Sequence, residues 1–209
     1  MAYFVQKVAL AFLVAASQAG AAAFSHKVHL KLKLPCTMCH TAARASARVE
    51  DNLLPKQAVC AGCHRDGRGR GIGRRPRPAL LAKFSHAKHL KLGDIAPVLA
   101  KAIDSGEYLS APGDARRHLN TSNQCAACHG GLEETDQLSA AHFPRMADCL
   151  VCHNKIELPF SCVTCHGEGA KLRPASHTAD FEDRHSSPKM EKAGCAVCHG
   201  RVFTCRGCH

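Results

Sequence analysis

The stretch from His142 to His166, HFPRMADCLVCHNKIELPFSCVTCH, holds a free histidine followed by two Cys-x-x-Cys-His units. A second copy runs from His185 to His209, HSSPKMEKAGCAVCHGRVFTCRGCH. Both carry the leading histidine, a Pro-basic-Met triplet (Pro144 to Met146, Pro188 to Met190), a Cys-x-Val-Cys-His and a further Cys-x-x-Cys-His. This is an internal repeat, and its five-residue motif is the unit from which the rest of the chain is read.

Seven such motifs begin at Cys36, Cys60, Cys125, Cys149, Cys162, Cys195 and Cys205, and they use all fourteen cysteines. Cys-x-x-Cys-His is the attachment site of c-type haem, where two thiols add across the porphyrin vinyl groups and the adjacent histidine reaches the iron. The thiols are Cys36, Cys39, Cys60, Cys63, Cys125, Cys128, Cys149, Cys152, Cys162, Cys165, Cys195, Cys198, Cys205 and Cys208. The proximal ligands are then His40, His64, His129, His153, His166, His199 and His209. Zinc ribbons need no histidine after every second cysteine. Thioredoxin-like pairs need a βαβ context that the flanking residues do not supply, and a disulfide scaffold leaves the seven histidines unexplained.

A chain of 209 residues with 5% aromatics and no Trp makes a thin conventional core for its length. Seven haems, one per about 27 residues after removal of a leader, would themselves form much of the interior, and the haem-free chain is expected to stay unfolded. The formal charge of +11 does not by itself indicate nucleic acid. Haem propionates and iron add roughly −7 when oxidised and −14 when reduced, leaving a holoprotein near neutral whose charge follows its redox state.

Residues 1–23 read as a signal peptide: Lys7, an apolar run from Val8 to Ala16, and small residues up to Ala23, with cleavage expected before Phe24. FSHKVHLKL at 24–32 returns as FSHAKHLKL at 84–92, with seven of nine positions identical. Histidines three apart share one face of a helical turn, so each copy can serve two irons. Ala42, Ala45, Val49 and Leu53 recur at helical spacing until Pro55. Residues 65–78, RDGRGRGIGRRPRP, have a linker's composition; a patch from Arg65 to Arg77 is equally a docking surface for a membrane or an acidic partner. Asp94 to Gly106 reads as a capped amphipathic helix, with Ile95, Val98, Leu99, Ala102 and Ile103 on one face.

Eight histidines stand outside the motifs: His26, His29, His86, His89, His118, His142, His177 and His185. Eight candidates for seven sixth positions make bis-histidine coordination the simplest assignment, giving low-spin irons suited to electron transfer. Met146 and Met190 are the methionine rivals, and methionine more often fills gaps in apolar cores.

The chain resembles the class III multihaem cytochromes c, which begin with Phe-x-His-x-x-His ahead of several Cys-x-x-Cys-His motifs. The likeness is closest from Phe84 to His166 and recurs at residues 24–40. It implies that His86 serves the haem at Cys125, His89 that at Cys149 and His142 that at Cys162. By the same order His26 and His29 serve Cys36 and Cys60. The terminal repeat assigns His185 to Cys205 and His177 to Cys195. His118 is left over, although like His29 and His142 it precedes its next motif cysteine by seven positions. It replaces another ligand or caps a propionate.

The expected fold is that of a multihaem cytochrome c: mainly short α-helices and irregular loops wrapped around a close-packed chain of seven haems, with very little sheet. The expected divisions are a leader (1–23), a two-haem module (24–64), a linker (65–83), a three-haem class III-like module (84–166) and a C-terminal two-haem module (167–209). The expected function is electron transfer in the periplasm or outside the cell, between a redox donor and a redox acceptor protein, without nucleic acid and without a transmembrane segment once the leader is cleaved. Every motif ends in histidine and distal candidates outnumber irons, which argues against catalysis. The alternatives are a multihaem reductase, or a structural subunit of a haem filament or respiratory complex, so a homo-oligomer stays open.

Overall fold

The computed structural model describes residues 24–51, 53–66, 81–153, 162–188, 192 and 194–200. The expected leader, most of the arginine-rich linker, the spacer between the Cys149 and Cys162 motifs, Met190 and the whole motif at Cys205 lie outside the described residues.

The two Phe-Ser-His copies form the same local structure. Helices α1 (His26–Leu30) and α4 (His86–Leu90) are each capped by the preceding serine, whose hydroxyl accepts the amides of Val28 and Lys88. A serine before a short run is a strong start signal because it satisfies an amide with no partner inside the helix. Each copy ends in a tight turn whose last residue is left-handed: Gly93 at φ 84° in the second and Lys33 at φ 56° in the first.

Short helices carry most of the attachment motifs, as the sequence suggests. Helix α2 (Cys36–Cys39) and helix α3 (Gln57–Ala61) hold the first two. The motif at Cys125 is a hydrogen-bonded turn introduced by Asn123, whose side chain accepts the Cys125 amide at 3.0 Å. The remaining described motifs lie on α7 (Met146–Leu150), a 3-10 turn (Cys162–Thr164) and α9 (Cys195–His199); helix α8 (Phe181–Arg184) precedes the last of these. Among the described residues strand pairing is confined to one antiparallel bridge, between Leu81 and His166. Together with the amides of Ala82 and Lys83, which donate to the Cys165 carbonyl, it ties the end of the linker to the Cys162 motif.

Helix α5 (Ala96–Asp104) lies inside the expected range. Asp94 accepts the Ala96 amide at 3.0 Å, and Gly106 at φ 74° ends the run. Its buried face is Ala96, Leu99 and Ala102, of which Ala96 and Leu99 pack with Leu119 and Ala127. Val98 turns out of this face and is 47% exposed, a correction to the sequence reading. Helix α6 (Ala115–His118) follows, and Tyr108, almost wholly buried, donates to Asp148 at 2.6 Å and so joins this core to α7.

The helix expected across Ala42 to Leu53 is absent; residues 41–51 are turns and bends. Two competitors defeat it. The Asp51 carboxylate accepts the amides of Ala47 (2.8 Å) and Arg48 (2.9 Å), and the Ser46 carbonyl is taken by Ala87 N–H and Ser85 Oγ. Side chains that capture local amides are the usual reason a favourable spacing fails to become a helix.

Candidate haem-iron sites

Five of the described motifs close on themselves, so that the histidine of each stands at a fixed place relative to its thiols. The amide of the motif histidine donates to the carbonyl of the first cysteine in the motifs at Cys36, Cys60, Cys125, Cys149 and Cys162, over 2.8–3.0 Å. Cysteines three apart on such a turn lie on one side of it.

Five motif histidines face a histidine from elsewhere. The ring centroids are 6.4 Å apart for His26 and His40, 6.0 Å for His29 and His64, 6.4 Å for His86 and His129, 6.3 Å for His89 and His153, and 6.0 Å for His177 and His199. Two imidazoles bound to one metal ion from opposite sides, each through a nitrogen at about 2 Å, have centroids about 6.3 Å apart. The spacing is therefore that of an axial pair and too wide for stacked rings in contact.

Hydrogen bonds set the tautomer. Nδ1 of His29 and of His89 lies 2.8 Å from the carbonyl of Ser25 and of Ser85, Nδ1 of His40 lies 2.7 Å from the Leu53 carbonyl, and Nδ1 of His129 lies 3.0 Å from the His142 carbonyl. A carbonyl only accepts, so the proton sits on Nδ1 and the lone pair of Nε2 is left for a metal. Burial, then neighbouring imidazoles, lower the pKa of His26 and His86, and burial lowers that of His129, which keeps these rings neutral as ligation requires.

Phenylalanine orders the distal rings, a role the sequence reading missed. Phe24 stacks on His29 and Phe84 on His89, both at 4.5 Å, while each phenylalanine meets the first histidine of its copy edge-on at 4.8 Å. Phe181 stacks between His177 (4.6 Å) and His185 (5.6 Å), repeating the device in a different chain order. The identity of the phenylalanine in both nine-residue copies was the available signal.

The other three distal candidates, His118, His142 and His185, are not among these pairs. Nδ1 of His142 accepts the Ser139 amide at 3.0 Å, which puts its proton on Nε2; to bind iron through Nε2 it has to release that amide. His118 packs over Gly130 and Gly131, where an added Cβ would come within 3.0 and 3.2 Å of it, with Nδ1 3.6 Å from Glu133. His118, Glu133 and Glu134 could together approach a cation, but both oxygens of Glu134 are held by Arg117 at 2.7 Å. His118 and His142 share a cleft of about 440 Å³ with Cys128 and Phe143. His185 Nδ1 faces the Glu182 carbonyl; its expected partner, His209, is outside the described residues.

The apolar surface fits the same group. Val28, Leu32 and Leu92 on the Phe-Ser-His copies, Met38 inside the first motif and Val163 inside the fifth are 49–69% exposed. Exposed apolar side chains of this kind would offer walls for a porphyrin to cover.

Residues 22–76 match the family described as cytochrome c7 and related cytochrome c. The chain resembles the class III multihaem cytochromes c. Cytochromes of this kind carry covalently bound haem c and act in electron transfer. The match covers the first Phe-Ser-His copy and the first two motifs. Comparisons with curated proteins and with solved structures give no match. When bound, the haem supplies the redox-active iron. The chain's part would be to hold it through the paired cysteines of each motif, to fix the ring planes of the facing histidines and to keep those rings neutral.

Proposed function

We propose that this cytochrome binds seven haems, one at each Cys-x-x-Cys-His, and works in the periplasm or outside the cell as an electron conduit with both axial positions of every iron filled by histidine. The pairs are His26 with His40, His29 with His64, His86 with His129, His89 with His153, His142 with His166, His177 with His199, and His185 with His209. The observation that carries the reading is the recurrence of one spacing, 6.0–6.4 Å, in five independent histidine pairs, each joining a motif histidine to one outside the motifs.

Filled axial positions leave no iron open to substrate, which suits transfer between redox proteins and not catalysis. An exported location agrees with covalent haem attachment and with the apolar leader at residues 1–23. Among the described residues no helix is long and apolar enough to cross a membrane. The arginines from Arg65 to Arg77 offer a docking surface for an acidic redox partner or membrane.

Intact-mass measurement of the purified holoprotein, with a redox titration followed by electron paramagnetic resonance, tests the proposal. Seven haem masses and only low-spin ferric signals are expected. A lower count, or a high-spin ferric signal that binds carbon monoxide on reduction, would overturn it.

A further inference from the structure

The first and third attachment motifs meet, although the whole linker lies between them in the chain. Asn123 bridges them: its Nδ2 donates to Cys36 Sγ at 3.6 Å, and its Oδ1 accepts the Cys125 amide at 3.0 Å. This bridge brings the side chains of Cys36 and Cys125 next to each other. Both sulfurs become thioethers when haem is attached, so what persists is the contact and not the titration.

The same seam is held at three further points. Ser25 Oγ donates to Asp136 at 2.5 Å, the Lys27 amide donates to the Thr135 carbonyl at 3.1 Å, and the carbonyl of buried Ser46 accepts from Ala87 N–H at 2.9 Å and Ser85 Oγ at 3.2 Å. These bonds join residues 24–46 to residues 85–136 without using any residue of the 67–80 segment. A hinge between independent modules would have no need of them.

We infer that the N-terminal two-haem module and the module after the linker form one electron-transfer unit, joined at Cys36 and Cys125 with Asn123 as the clamp. This rests on the proposed attachment of haem at these motifs. Each thioether sulfur is bonded to the former vinyl carbon, one atom from the rim of its porphyrin, so two sulfurs held side by side bring two porphyrin edges close together. One electron then passes between the haem at Cys36 and the haem at Cys125, one iron being oxidised as the other is reduced, with no bond made or broken. Because it is the Cys36 motif that meets the Cys125 motif, the haem at Cys60 is the outer member of its module in this inference.

A protease site placed within residues 67–80 of the full-length holoprotein tests the junction. After cleavage the two fragments are expected to elute together, and mass measurement to find two haems on the N-terminal fragment and five on the other. Combining Asn123→Ala with Ser25→Ala is expected to separate the fragments with both haem counts unchanged. Wild-type fragments that part while keeping two and five haems would overturn the junction alone, whereas a changed haem count would overturn the attachment reading beneath it. The order within the module is read from magnetic coupling in the ferric protein. Coupling to the Cys125 haem is expected to persist in His29→Met, which alters the Cys60 haem, and to be lost or shifted in His26→Met. The reverse pattern would overturn the order.

Discussion

The imidazole rings of His26 and His40 face each other at an interplanar angle of 7°, whereas those of His29 and His64 meet at 62°. The two copies keep this distinction: His86 with His129 is at 11° and His89 with His153 at 51°. In a ferric iron, parallel axial imidazoles donate into the same d orbital and split the upper pair, while crossed ones leave that pair nearly degenerate and the signal highly anisotropic. Electron paramagnetic resonance is therefore expected to show two classes of low-spin haem. Those at Cys36, Cys125 and Cys195, with His177 and His199 at 13°, belong to the rhombic class. The haems at Cys60 and Cys149 belong to the anisotropic class. A single class across all haems would contradict the ring geometry.

The crossed angle has a visible cause in the second copy, where Phe84 lies flat on His89 at 19° and edge-on to His86 at 86°. Phe84→Leu removes the flat face and keeps much of the volume. It is expected to cost about 0.5–1.5 kcal/mol in thermal unfolding and to shift the anisotropic signal of the Cys149 haem, leaving the haem count intact. Phe84→Tyr should restore the signal. An unchanged spectrum in Phe84→Leu would show that the phenylalanine packs without positioning.

The resemblance to the class III cytochromes and the terminal repeat implied which outside histidine goes with which motif, and five of those pairs face each other with ring centroids 6.0–6.4 Å apart. What could not be read depends on contacts between remote segments. Asn123 looks like an ordinary turn residue until Cys36 is found beside it, and Ser46 like part of an alanine-rich helix until Ser85 takes its carbonyl. His142 shows the limit from the other side. Its register matches His29, yet a local bond from Ser139 sets its tautomer, and no spacing rule reports that.

Lys33 and Gly93 occupy equivalent left-handed positions in the two copies, at φ 56° and 84°. A side chain there costs about 1–2 kcal/mol, partly offset by the roughly 0.5–1 kcal/mol that glycine loses through its freer unfolded chain. Lys33→Gly is thus expected to raise stability by up to about 1 kcal/mol and Gly93→Ala to lower it by a similar amount. No atom lies within 4 Å of a Cβ built on Gly93, so the second effect is backbone strain and not collision. Thermal melts of the two holoprotein variants should move in opposite directions; equal shifts would mean that the turns are not equivalent.

The core around Ala96, Leu99, Leu119 and Ala127 is small, and the large apolar side chains of the Phe-Ser-His copies, Val28, Leu32 and Leu92, are exposed. Without porphyrins these side chains meet water, and the neutral histidine pairs have no ion between them. Apolar burial of about 25 cal/mol per Å² then has too little surface to act on against the ordering of the backbone. Chain produced without haem attachment is therefore expected to lack a cooperative melting transition and to exchange its amides within the mixing time, including those of α5, the best-buried helix. Protection confined to Ala96–Asp104 would mean that this helix and Leu119 fold as a nucleus before haem arrives. Protection extending to α1 and α4 would refute the dependence on haem, since nothing but the porphyrins is expected to cover the exposed side chains of those helices.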